Sequence, residues 1–144
     1  MHLIGLTVVE TCRRYLPRTA ASTVSLKWPN DIYATYRGQP EKIGGIIVNN
    51  IPTTLPGSRN RILIGERNPP FDFCVSNATT GCGLNIRKHG PACSLSRLAT
   101  TDISMEEVLA NVMALLSRYW DEFLLADGSF AGFEERYKSA WIHK

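Results

Sequence analysis

The sequence predicts an α+β fold, a mixed and largely antiparallel sheet with helices packed on one face, and three stretches carry that prediction. Residues 24–48 read VSLKWPNDIYATYRGQPEKIGGIIV, two runs rich in β-branched and aromatic residues separated by a Gly/Pro-containing break. That is the pattern of an antiparallel hairpin. Ahead of it, Leu3, Leu6, Val9 and Cys12 recur at helical spacing. Behind it, Ser104-Met105-Glu106-Glu107 has the capping-box pattern and opens a long apolar stripe.

Taken in order, the first helix covers Leu3 to Tyr15, with Glu10, Arg13 and Arg14 polar and Pro17 stopping it. Residues 17–23 form a polar connection. Val24-Ser25-Leu26 is an extended lead-in to a turn at Lys27–Asp31, after which Ile32–Tyr36 and Lys42–Val48 form the hairpin. Residues 51–60, rich in Pro, Gly, Ser and Asn, read as loop, and Arg61–Gly65 as a short apolar strand. Asn68-Pro69-Pro70 breaks any strand. Residues 87–99 look loop-like, with a turn at Lys88–Pro91. The second long helix buries Val108, Leu109, Val112, Leu115, Leu116, Tyr119, Trp120 and Phe123 and ends at Gly128. A last amphipathic helix carries Phe130, Phe133, Tyr137 and Trp141.

At 144 residues this is one domain, 1–144, long enough to bury a core. A hydrophobic content of 44% against 20% charged excludes a disordered chain. The net charge of +3 is small and scattered, which argues against nucleic-acid binding. No apolar run reaches membrane-spanning length, and a signal peptide is not expected. Cys12, Cys74, Cys82 and Cys93 show no CxxC pairing or metal-ligand spacing, so reduced thiols in the cytoplasm and no metal site are expected.

The hairpin also carries chemistry. A cation, an amide and a carboxylate (Lys27, Asn30, Asp31) crowd one end, and Lys42 stands just before Gly44-Gly45 in the returning strand. Glycines inside a strand mark places where a ligand or backbone comes close, and a lysine beside them can meet developing negative charge. The plain alternative is an edge hairpin with a solvated Lys42, a glycine bulge, and Asn30 and Asp31 satisfying their own turn.

Lys27-Trp28-Pro29-Asn30-Asp31 followed by Lys42-Ile43-Gly44-Gly45-Ile46 resembles the paired signature of biotin protein ligases, the holocarboxylase synthetases. A third motif, a glycine-flanked strand ending in asparagine, stands at Gly81-Cys82-Gly83-Leu84-Asn85-Ile86. The resemblance covers Leu3 to Ile47 and Gly81 to Trp141. It implies ATP-dependent activation of biotin to biotinyl-AMP, with Mg²⁺, and transfer to a lysine of a biotin carboxyl carrier domain. It puts Lys42 between the biotin carboxylate and the α-phosphate, and Asp31 where the incoming amine loses its proton. It makes Lys27, Asn30, Gly44, Gly45 and Gly81 contacts to biotin and phosphate. Gly83 and Asn85 fall at adenine, where an amide offers donor and acceptor together. Trp28 is expected as a packing anchor. Lipoate ligases share the fold and reaction logic, and a catalytically inactive remnant is the non-enzymatic alternative.

The chain departs from the family pattern in three places. The family's Gly/Arg-rich biotin loop lies upstream of the first helix, and nothing in residues 1–23 resembles it. The end, Tyr137–Lys144, resembles the start of the family's small β-barrel, where this chain stops. Residues 66–80 read as an insertion that splits one strand in two, of the kind an unspliced intron leaves, with Gly65 and Gly81 duplicated at its borders. The resemblance thus implies an incomplete catalytic domain with an unpaired sheet edge, low stability and little ligase activity of its own.

Overall fold

The computed structural model describes residues 1–51, 61–64, 77–87 and 92–143. The loop at 52–60, residues 66–76 of the expected insertion and the turn at Lys88–Pro91 lie outside these. Helix α1 (His2–Arg14) and the short α2 (Arg18–Ala21) precede a meander of β1 (Val24–Lys27), β2 (Asp31–Tyr36) and β3 (Gln39–Ile51). Strands β4 (Arg61–Ile64) and β5 (Asn77–Leu84) complete the sheet. The helices α3 (Leu95–Ala99), α4 (Met105–Leu125) and α5 (Glu134–Ser139) follow, the last entered through a 3₁₀ turn at Ala131–Phe133.

Among the described residues the sheet has five strands in the order β1-β2-β3-β5-β4, antiparallel except for the β4–β5 pair. The lead-in at residues 24–26 is thus a strand in its own right. The polar connection contains a helical turn, and so does the stretch expected as loop at 87–99, where Leu95 and Ala99 are buried. Residues 77–80, the end of the expected insertion, form the first half of β5 and pair with β3. The strand before the insertion, Arg61–Ile64, lies parallel beside the insertion's own last four residues, Asn77–Thr80.

Alternation within the strands creates the two faces of the sheet. Val24, Leu26, Ile32, Ala34, Ile43 and Ile46 are buried in the core shared with the helices. Within α1, Leu6, Val9 and Cys12 are fully enclosed, and α4 adds Leu115, Leu116 and Tyr119. Gly5 lets α1 approach closely: a Cβ there would stand 3.1 Å from Leu26 Cδ2. Arg13 fastens the helix to the sheet by donating from Nε and Nη2 to the Val24 carbonyl. In α4 the expected stripe holds except at Leu109, which faces solvent. Ser104 caps that helix by accepting from the Glu107 amide.

The outer edge of β1 is partly covered. Leu26 donates to the Ala140 carbonyl and accepts from the Ile142 amide, so the tail beyond α5 runs parallel to β1 as a short bridge. This outer edge is therefore blunted at its middle.

Candidate active site

The face of the sheet turned away from the helices holds the motif residues in one row. Lys27 is opposite Asp31, Asp31 opposite Gly45, and Gly45 opposite Gly83, across β1, β2, β3 and β5. A neighbouring row contains Ser25, Tyr33 and Lys42. Directly opposite residues in antiparallel strands share a face, so three sequence motifs converge on one surface.

A bulge places Lys42 there. The register shifts between Ile32, opposite Gly44, and Tyr33, opposite Lys42, leaving Ile43 as the extra residue on β3. Ile43 turns fully into the core, and both Lys42 and Gly45 come out on the open face. The Lys42 ammonium then lies 2.6 Å from Asp31 Oδ1. Lys42 is about half exposed (53%) and Asp31 much less so (26%), so the cation is presented and the carboxylate is held under it.

Both glycines of the pair are needed, for different reasons. A Cβ on Gly44 would stand 2.7 Å from the Gly83 carbonyl oxygen, closer than backbone allows. A Cβ on Gly45 would stand 3.3 Å from Asp31 Oδ1 and 3.5 Å from Lys42 Cε, crowding the ion pair. Above Gly81 and Gly83 the space is open. The result is a bare backbone floor running from Gly45 to Gly83, with a cation at one side.

Asn30 is committed to the turn. Its Nδ2 donates to the Ile46 carbonyl at 2.7 Å, and its own carbonyl accepts from the Ile46 amide at 2.8 Å. This double tie fixes the Trp28-Pro29 turn, whose peptide bond is cis, against β3. Lys27 stands over the Tyr33 ring, Nζ 4.9 Å from its centroid, a cation–π contact that keeps it on the open face. Asn85 follows the end of β5, donating its amide to the Ile43 carbonyl and accepting from the Leu95 amide. That tie brings it level with the bulge beside Lys42.

Three further residues border this surface. Trp28 is 65% exposed, so it is not the packing anchor expected from its size; the turn directs it outward. Tyr33 and the exposed Ile47 lie on the same face as Asp31 and Gly45, each two residues further along its strand. Period-two counting from the motif residues would have found both.

The arrangement suits a reaction in which negative charge gathers over the glycine floor. Lys42 can meet that charge, and Asp31 can hold the ammonium in place beforehand or accept a hydrogen bond from an incoming amine. Among the described residues no group of three or more His, Cys, Asp or Glu side chains could enclose a metal ion. No helix there is long and apolar enough to cross a membrane. A cavity of about 680 Å³ lies on the helix side between His2, Leu116, Trp120 and Phe130 and is separate from this face.

Residues 1–61 match the biotin/lipoate A/B protein ligase family. Over 99% of its length the chain is 27% identical to the biotin–protein ligase of Schizosaccharomyces pombe and 28% identical to that of Homo sapiens. It spans 22% and 18% of those two proteins, about a fifth of each. The apo biotin protein ligase from Aquifex aeolicus superposes with a TM-score of 0.65 at 21% identity, covering 99% of this chain and 53% of that one. The same ligase in complex with biotin and ATP gives 0.60 at 20% identity, covering 99% and 52%. The likeness carried by three short motifs thus extends along the chain: its first 61 residues match the biotin/lipoate A/B protein ligase family, and its fold is that of solved biotin protein ligases.

Proposed function

We propose that this chain carries the acyl-adenylate site of a biotin protein ligase. The observation that supports the reading most is the Lys42–Asp31 pair poised beside the Gly45–Gly83 floor. In the first half-reaction the biotin carboxylate oxygen attacks the α-phosphorus of ATP, and pyrophosphate leaves. Two anions must approach, so a fixed cation between them lowers the barrier. Lys42 fills that role, and Lys27 adds positive potential from the neighbouring strand. The small side of Gly45, with Gly44 closing the strands beneath it, lets the mixed anhydride lie flat along the sheet.

Gly81 and Gly83 continue the floor towards Asn85, whose side-chain amide would read the adenine edge. Asn30 acts by holding the turn that aims Asp31, since its side-chain amide donates to the Ile46 carbonyl. In the second half-reaction the ε-amine of a lysine on a biotin carboxyl carrier domain attacks the anhydride carbonyl and AMP leaves. Asp31 is the group placed to orient that amine and take its proton.

Mg²⁺ belongs with the triphosphate, neutralising its charge. A magnesium ion bound through substrate phosphates needs few protein ligands and no cage of carboxylates. The buried thiols of Cys12 and Cys93, pushed up to about 12 and about 11 by burial, are poor nucleophiles and stand apart from this chemistry.

The test is biotin-dependent exchange of labelled pyrophosphate into ATP. It is run on the 144-residue chain and on the longest natural polypeptide containing it. The account expects exchange in the longer polypeptide, lowered at least about a hundredfold by Lys42→Ala. Exchange that survives the substitution would sink it. Exchange with lipoate in place of biotin would transfer the reading to lipoate ligases, and none with either acid would favour a non-enzymatic remnant.

A further inference from the structure

Two stretches of this chain occupy equivalent places in the sheet. In the parallel β4–β5 pair, Arg61 lies beside Asn77, Ile62 beside Ala78, Leu63 beside Thr79 and Ile64 beside Thr80. Each stretch is followed by a glycine, Gly65 and Gly81. The offset is the same at all four pairs, from 61 to 77 and from 64 to 80, and it is an even number.

From these registers we infer that residues 65–80 are a removable cassette, and that Arg61–Ile64 is a second version of the strand segment Asn77–Thr80, able to take its place beside β3. Joining Ile64 to Gly81 carries the chain into Cys82, Gly83 and Leu84 with no change of register. Because the offset is even, each incoming residue of Arg61–Ile64 keeps the face of the sheet it has in β4; an odd deletion would turn those residues over. The ladder from Ile47–Gly81 to Gly44–Leu84, which forms the glycine floor, is untouched. The backbone hydrogen bonds that β3 offers to Asn77–Thr80 serve any residue except proline, and Arg61–Ile64 contains none.

Thr80 supplies an independent reason. Its side chain is 3% exposed, and its hydroxyl is buried without a hydrogen-bond partner. Such a group costs stability that hydrocarbon at the same place does not. Ile64 is the residue that would arrive there. The run Ile62-Leu63-Ile64 also suits a strand better than Ala78-Thr79-Thr80. The sequence therefore encodes two forms with one site, a long form with β4 added at the sheet edge and a short form in which that strand is moved inward.

The experiment compares thermal unfolding of the whole chain with that of three variants: deletion of 65–80, deletion of 66–80, and Thr80→Ile. The even deletion is expected to unfold cooperatively at a midpoint about 3 °C or more above the whole chain. Thr80→Ile should raise the midpoint in the same direction, and the odd deletion should lower it or abolish cooperative unfolding. An even deletion that fails to fold, or is no more stable than the odd one, overturns the inference. So does a Thr80→Ile chain that melts lower than the original.

Discussion

Gly44 and Gly45 are neighbours that do unlike things, and alanine separates them. A methyl group on Gly44 meets a backbone oxygen of the adjacent strand, which moves only if β3 and β5 part. Gly44→Ala should therefore cost about 1–3 kcal/mol of stability, measured by urea unfolding. On Gly45 the same methyl meets the ends of two side chains, Asp31 and Lys42. Gly45→Ala should leave stability within about 1 kcal/mol and weaken binding of an acyl-adenylate analogue instead. If both variants lost stability alike, the glycine floor would be a packing feature with no bearing on ligand approach. The motif glycines and Lys42 were legible in the sequence through their likeness to a known signature, whereas strict alternation would have put Lys42 on the face of Gly44 and Ile46, and only the bulge at Ile43 brings it out beside Gly45. The exposure of Trp28 was not, since apolar size says nothing about which way a turn points its side chain.

At the scale of elements, the sheet and both long helices could be read from period and punctuation. Pattern could not separate the lead-in at 24–26 from strand β1, because three residues are too few to show alternation. Nor could it find α3, whose five residues fold because Leu95 and Ala99 are buried by the rest of the chain. Long-range polar ties are equally invisible to it. Glu10 of α1 accepts from Arg136 of α5, Nε to Oε1 at 3.1 Å and Nη2 to Oε2 at 2.8 Å, and from the hydroxyl of Tyr119 in α4. Tyr119 is fully buried, so its hydroxyl depends on that carboxylate, whereas Arg136 is partly exposed and can turn to water. Removing the acid with Glu10→Ala should cost about 1–2 kcal/mol, and Glu10→Gln less. A chain with Glu10→Ala and unchanged unfolding would show that the three helices are held by apolar contact alone.

For the whole molecule, the first helix and the last are joined at His2. Its Nδ1 lies 2.7 Å from the Tyr137 hydroxyl, and its ring packs on Phe130 and Tyr137. Partial desolvation, and then the neighbouring N-terminal ammonium, hold this imidazole below its ordinary value of 6.5. As pH falls the unfolded chain binds the proton first, so the stabilisation is whole above about 6.5 and shrinks below it. The melting temperature should drop between pH 7.5 and pH 5.5, and His2→Gln should flatten that slope; an equal slope in the variant would assign it elsewhere. Registers such as Ile64 beside Thr80 exist only once the chain is folded, which is why the sequence suggested an insertion but not that its end pairs with the strand before it. The central claim is that Lys42 serves a bound acyl-adenylate rather than Asp31 alone. The direct measurement is a crystal structure with a non-hydrolysable biotinyl-adenylate analogue. The account predicts the ligand along Gly45 and Gly83 with the Lys42 ammonium on its phosphate or carbonyl oxygen. A ligand bound elsewhere, or one lying on that face while Lys42 makes no contact with it, would contradict the claim.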